Sequence, residues 1–301
     1  MILITTPTGT IGSQVLRNLL DEAPARGEEL RVVVRDPAKL SDEVRDRVDV
    51  VVGSHGDAAV VDRALDGVDA VFWVVPPNPL AAGLAEAYSG FTQAAAKAFT
   101  AHGVQRVVAV SSVGRGTPVA DRAGLVTASL AMDDLIAGSG VAYRALACAT
   151  FIDNLLRQAG PIRDRGVFTD TVPADRPEPP VATADIAAAA VRLLLDRSWT
   201  GTGEVPVLGP EDLSAADRAR IVSGVLGRPV EYQQVSLDDY AAVFASRGVP
   251  EAFTAGMVDM MRARNEGLDE GVSRADANTV VGTTTFRTWC EEVLRPAVLG
   301  G

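Results

Sequence analysis

The first dozen residues, MILITTPTGTIG, constrain this chain more than any other stretch. Met1 to Ile4 is a short apolar run, and Thr6-Pro7-Thr8-Gly9-Thr10-Ile11-Gly12 follows it as a turn. From Ser13 to Leu20 the apolar residues Val15, Leu16, Leu19 and Leu20 continue from Ile11 at helical spacing. A buried strand, a glycine turn and an amphipathic helix open a nucleotide-binding α/β unit. Gly9 lets the backbone approach a pyrophosphate, and Gly12 lets the helix pack closely on the strand. The helix N-terminus then offers free N–H groups to the anion. Thr8, Gly9, Thr10, Ile11 and Gly12 are the expected phosphate-side contacts.

The rest of the first half repeats the alternation. Leu30 to Val34 reads as a second strand, Val48 to Val52 as a third, Asp69 to Val75 as a fourth and Arg106 to Val110 as a fifth. The fourth is apolar throughout, as a parallel strand buried on both faces should be. Helices are expected over Asp57–Leu65, Leu80–His102 and Ala120–Gly138, with a sixth strand at Val141–Ala147. Thr150–Gly166 reads as helix with a loop, Ala184–Leu195 as a helix and Val205–Leu208 as the last sheet strand. The pattern then becomes mainly helical, over 213–227, 237–247, 250–264 and 284–295, with a strand near 230–236. The fold class is therefore α/β, a doubly wound parallel sheet of Rossmann type with a smaller, mainly helical C-terminal lobe. Residues 1–150 form the expected cofactor-binding core. Residues 151–301 form the expected substrate lobe, interleaved with the last sheet elements at 183–208.

Composition narrows the function. The net charge of −11 works against nucleic-acid binding, which needs a basic footprint. No apolar run reaches the ~18–20 residues of a membrane helix. The apolar start at Met1 leaves no room for a signal peptide, so a cytoplasmic protein is expected. Cys148 and Cys290 are too far apart in sequence for a disulfide framework, and His55 and His102 too few and too separated for a metal site, so none is expected.

Cofactor choice is read from the end of the second strand. An NAD site places an acid there for the ribose hydroxyls. Here the strand runs into Arg35, with Lys39 one turn on, and two cations suit a 2′-phosphate. NADP(H) is the expected cofactor. Val75 and Pro76 begin a proline loop at the carboxyl edge of the sheet, where ligands of open α/β sheets bind.

TTPTGTIG resembles the Thr-Gly-Ala-Thr-Gly-x-x-Gly turn of the atypical short-chain dehydrogenases, and of the NmrA-like family in particular. Thr6 stands where that pattern has its first glycine, which narrows the turn. The C-terminal stretch GPEDLSAADRARIVSGVLGRPVEYQQVSLDDYAAVFASRGVP follows the Gly-Pro-Glu-x-Leu-Ser … Gly-Arg-Pro-Val-x-Tyr … Gly-x-Pro pattern of bacterial NmrA-like proteins, and VATADIAAAAVRLLLD is similar to their Asp-Ile-Ala helix. The resemblance runs from residue 1 to about residue 290. It implies that Gly53, in a Gly-Ser where the family has Gly-Asp, lies near the adenine. It also implies that Phe151 walls the nicotinamide, with Asn154 as a structural capper.

The same resemblance exposes an absence. Short-chain dehydrogenases carry Tyr-x-x-x-Lys on the helix after the fifth strand, four apart on one face. Those positions fall at Ser129 and Asp133, and neither can replace a phenol activated by a lysine. Asp133 and Asp134 read as a solvated helix face, and His55 as a surface histidine. Two other donors stand out. Ser111 or Ser112 closes the fifth strand, either to hold a substrate carbonyl or to cap the strand. Tyr88 follows the proline loop, either facing the site or packing. Cys148 reads as a small buried residue. Phe244, Phe253, Met257, Met260, Met261, Phe286 and Trp289 supply either a lid over an apolar substrate, a dimer face or the lobe's own core.

Two functions follow. One is an NADPH-dependent reductase of a hydrophobic small molecule (a quinone, enone or iminium), which needs less help from a general acid than a ketone. The other is a dinucleotide-binding redox sensor acting through a protein partner, as the resemblance to NmrA implies. A monomer or homodimer without membrane or nucleic-acid partners suits either.

Overall fold

A computed structural model describes residues 1–300. Its eight-stranded sheet contains β1 (Ile2–Thr5), β2 (Leu30–Val34), β3 (Asp49–Val52), β4 (Ala70–Trp73), β5 (Arg106–Ser112), β6 (Ala142–Cys148), β8 (Thr202–Leu208) and β10 (Val280–Val281). The spatial order is β10-β8-β6-β5-β4-β1-β2-β3, and β1 pairs in parallel with both β2 and β4. The chain thus winds outward from β1 in one direction through β2 and β3, then returns to wind the other way through β4, β5 and β6. The switch point lies between β1 and β4, the place where open parallel sheets bind ligands at their carboxyl edge. There the Thr5 hydroxyl donates to Phe72 O at 2.9 Å and accepts from Val74 N–H at 3.0 Å, lacing the two strand ends together.

The chain folds as two compact units. The first comprises Met1–Ser112, Ala128–Ala147 and Ile186–Val205, the second Val113–Thr127, Cys148–Asp185 and Pro206–Gly301. In the first, the helix Thr10–Glu22 buries Ile11, Val15, Leu16, Leu19 and Leu20, the stripe that its spacing predicts. Every residue of β4 is buried, as expected of a central parallel strand. Trp73 and Phe99 meet edge to face at 5.7 Å within a core cluster that also holds Leu3, Val71 and Val107. The predicted helix Leu80–His102 starts later than its apolar pattern suggests. A π-helical turn at Glu86–Gly90 leads into the regular helix Phe91–Ala101, while the prolines at 76, 77 and 79 hold the preceding stretch in a loop.

The second unit has its own sheet, β7 (Val167–Asp170) paired in parallel with β9 (Glu231–Gln234). Its core gathers Phe168, Val222, Phe286, Trp289 and Leu294, with Phe286 and Trp289 stacked at 5.8 Å. Phe286 and Trp289 are thus core residues and Met261 is buried, whereas Phe244, Phe253, Met257 and Met260 are half-buried. In the same unit Glu178 is 2% exposed and takes both forks of Arg264 at 2.5 Å, with Arg176 and Arg218 each at 3.2 Å. Arg264 also reaches Asp170 at 3.0 Å, and Arg176 reaches Asp269. Burial opposes the charge of Arg264, but Asp170 and Glu178 outweigh it and raise its pKa. Val205–Leu208 is not the last sheet strand, because Val280 and Val281 pair with Val207 and Leu208. No helix among the described residues is long and apolar enough to cross a membrane.

Candidate active site

The glycine turn is built around one carbonyl. Gly9 N–H donates to Thr6 O at 2.9 Å, and a Cβ on Gly12 would stand 2.1 Å from that oxygen. A Cβ on Gly9 would stand 3.3 Å from it. Gly12 is therefore obligatory for the helix to approach the turn, and the close partner is the turn's own carbonyl. Thr6 holds a left-handed φ of 51°, so the substitution of the first glycine costs backbone strain in addition to space. Gly9 caps the helix without a side-chain bond, and no acid occupies the first turn. Thr8 and Thr10 are exposed here, and Ile11 is buried under the helix. A tight glycine cradle leading into an uncapped helix N-terminus fits the pyrophosphate of a dinucleotide.

At the neighbouring strand end, Arg35 and Lys39 are both exposed. Asp36, the anion placed to neutralise them, instead accepts Ala38 N–H at 3.1 Å and caps the short turn Pro37–Lys39. Neither cation has an ion-pair partner among the described residues. Gly53 follows β3 at φ 146°, where a Cβ would strike Val60. His55 is buried rather than superficial. Its ring lies edge to face with Trp73 and Phe91, at 5.0 and 4.8 Å. Burial lowers its pKa to about 4, against a raising bond from Nε2 to Val74 O at 2.8 Å and with a smaller lowering by Arg35. The ring is therefore neutral and donates through Nε2. Val75 is buried and Pro76 exposed beyond β4.

The helix positions expected for the tyrosine–lysine pair, Ser129 and Asp133, belong to a buried hydrogen-bonded cluster. Ser111 Oγ on β5 donates to Asp133 Oδ2 and lies 3.3 Å from Ser129 Oγ. Tyr143 on β6 donates its hydroxyl to Asp133 Oδ1 at 2.6 Å. Ser111 and Ser129 are each 7% exposed, Asp133 and Tyr143 2%. Asp133 is thus not part of a solvated face, because its helix turns that side toward β5 and β6; Asp134 next to it is exposed. Tyr143 escaped the sequence reading, although a phenol on the apolar strand VAYRALA needs a buried partner for its hydroxyl.

Tyr88 packs against the core that holds Trp73 and Phe99, burial raises its pKa to about 12, and among the described residues it makes no bond to the cluster. Phe151, in the second unit, is half-buried and bridges Val181, while Asn154 is exposed. Cys148 is buried, as is Cys290, whose thiol burial pushes up to about 12.

Comparison with known proteins agrees with this geometry. A family described as NAD(P)H-binding matches residues 7–197. The chain is 31% identical over 299 residues to a (4-alkanoyl-5-oxo-2,5-dihydrofuran-3-yl)methyl phosphate reductase from Streptomyces griseus, covering 97% of each chain. It is 30% identical over 260 residues to an NAD(P)H azoreductase from Xenophilus azovorans, covering 86% of each. The solved structure of an NADPH-dependent quinone oxidoreductase from Escherichia coli, complexed with NADPH, superposes with a TM-score of 0.74 at 25% identity, covering 95% of this chain and 97% of that one. The chain belongs to the NAD(P)H-binding family and is an NAD(P)H-dependent oxidoreductase.

Proposed function

We propose that the protein is an NADPH-dependent reductase of a hydrophobic small molecule whose reducible group is a conjugated or polarised π bond. The observation that carries the reading is the pair Arg35 and Lys39, exposed and without ion-pair partners at the end of β2. A guanidinium and an ammonium beside the glycine cradle suit a 2′-phosphate, which NADH lacks. The relatives' names (dihydrofuranone, azo compound, quinone) support a small acceptor with such a bond. The NmrA-like resemblance of the C-terminal stretch supports the same subgroup.

Thr8, Thr10, Ile11 and Gly12 offer backbone N–H groups to the pyrophosphate, Gly9, whose own N–H is held by Thr6 O, lets the chain approach it, and Gly53 turns the chain at the adenine end. When bound, reduced nicotinamide supplies a hydride. Ser111 contacts the acceptor, and Asp133 fixes the Ser111 hydroxyl. Catalysis then rests mainly on proximity between donor and acceptor carbon rather than on a tyrosine acid. The test is loss of NADPH absorbance against a panel of quinones, enones and imines. Turnover of at least one acceptor is expected; a cofactor-loaded protein that turns over none contradicts the reading.

A further inference from the structure

Ser111 can serve a ligand as a donor or as an acceptor, and its neighbours decide which. Both Asp133 oxygens receive hydroxyl hydrogens, one from Ser111 and one from Tyr143. An ionised carboxylate, which can only accept, is satisfied by that arrangement. A serine hydroxyl has a single hydrogen, so Ser111 spends its own on Asp133. What remains at Ser111 Oγ is lone-pair density, and Ser129 is placed to donate to part of it at 3.3 Å. Ser111 is the member of the cluster at the carboxyl end of β5, the edge at which parallel sheets bind ligands, whereas Tyr143 reaches Asp133 from the start of β6.

We infer that this cluster selects acceptors that carry positive charge at the reducible bond, a C=N⁺ iminium in preference to a neutral carbonyl or quinone. This rests on the reductase reading above and names its substrate class. Hydride addition to the carbon of C=N⁺ turns the π pair into the nitrogen lone pair. The substrate cation becomes a neutral amine and the positive charge passes to the oxidised cofactor. No proton is consumed, so no protein acid is required. Reduction of a quinone or enone instead builds negative charge on oxygen and takes up a proton. A lone-pair-presenting Ser111 backed by a carboxylate repels that charge and has no hydrogen to give. In this reading Ser111 touches the acceptor, and Asp133 is a positioning residue acting through it. The missing tyrosine and lysine then fit a reaction that does not need them.

The experiment has an equilibrium arm and a kinetic arm, both on the full chain. Calorimetry of the NADPH-loaded protein measures the affinity of N,N-dimethyltetrahydroisoquinolinium, a saturated cation that cannot accept hydride, against neutral dimethyltetralin of the same shape. The cation should bind about tenfold or more tightly, the scale of one charge-assisted contact, and Asp133→Asn and Ser111→Ala should each erase that margin. With NADPH, kcat/KM for N-methyldihydroisoquinolinium should exceed that for naphthoquinone, and the ratio should fall in both variants. A structural role alone would lower both substrates together and leave the ratio unchanged. Should Asp133→Asn not fold, the wild-type preference and Ser111→Ala decide the matter. Equal affinity for cation and isostere, or a preference for naphthoquinone that Ser111→Ala leaves intact, overturns the inference while the reductase reading stands. Cation binding that depends on Ser111, with neither acceptor reduced, sustains the charge assignment and sinks the reductase reading.

Discussion

Ser111 and Asp133 are 22 residues apart in sequence, yet the serine hydroxyl at the end of β5 gives its hydrogen to the aspartate on the helix Leu125–Ala137. Tyr143 takes the other carboxylate oxygen, so one buried carboxylate ties β5, β6 and the helix between them. This changes what the helix positions usually held by tyrosine and lysine are worth. Ser129→Ala removes only a 3.3 Å contact and should leave kcat within about tenfold and stability within about 1 kcal/mol. Asp133→Leu strands two buried hydroxyl donors and should cost about 2–4 kcal/mol, taking each unsatisfied group at about 1–2 kcal/mol. Urea unfolding of both variants checks this; equal losses would mean that the carboxylate is not the hub.

The glycine cradle gives a second expectation. Gly12→Ala puts a methyl group 2.1 Å from Thr6 O, so the turn must open and NAD(P)H affinity should collapse. Gly9→Val blocks the pyrophosphate approach and should also abolish binding, at less expense to the fold because its Cβ would stand 3.3 Å from Thr6 O, a tight contact that a small shift relieves, against 2.1 Å for Gly12. Cofactor titration beside thermal unfolding separates the two. Unchanged affinity in folded Gly9→Val would move the cofactor site elsewhere.

His55 predicts a pH response. Its pKa is 6.5 in the unfolded chain and about 4 when folded, so above pH 6.5 both states are neutral and it contributes no pH dependence. Between pH 6.5 and 4 the unfolded chain binds a proton that the folded one refuses. Stability should therefore fall with falling pH across that window, by about 3 kcal/mol in all from this residue. His55→Gln keeps a donor for Val74 O and removes the titration. Its unfolding free energy, measured from pH 7 to 4, should lose less than the wild type's; parallel curves would show the ring to be protonated when folded.

The ion cluster of the second unit gives a separate stability test. Glu178→Gln leaves Arg176, Arg218 and Arg264 facing one neutral acceptor, and breaking such a buried pair costs about 3–5 kcal/mol. A denaturation midpoint like that of the wild type would show that Asp170 and Asp269 suffice.

How much of this was legible depended on whether a feature is local. The strand, glycine turn and helix at residues 2–22 are written in consecutive residues, and the structure follows them closely. The helix start after residue 80 was less legible because prolines, not hydrophobic spacing, decide it. β7 was missed because Val167–Asp170 is four residues with only Phe168 fully buried, stabilised by a partner 64 residues away. Asp133 looked solvated because its helix is uniformly apolar and small, and only β5 and β6 reveal which side is covered. His55 was misread for the same reason: its burial comes from Trp73 and Phe91, distant in sequence. Glu178 sits with Arg176 in a proline-rich stretch that reads as loop, while Arg218 and Arg264 come from two separate helices. Local rules find elements; charges that meet across the fold need the fold.

The central claim is that the carboxyl edge of β1 and β2 holds NADPH through its 2′-phosphate. The most direct measurement is equilibrium titration of wild type and Arg35→Ala with NADPH and with NADH, followed by cofactor fluorescence. Wild type should bind NADPH more tightly, and Arg35→Ala should lose about 1.5–3 kcal/mol toward NADPH and almost nothing toward NADH. Equal losses for both cofactors, or equal wild-type affinities, would contradict the account.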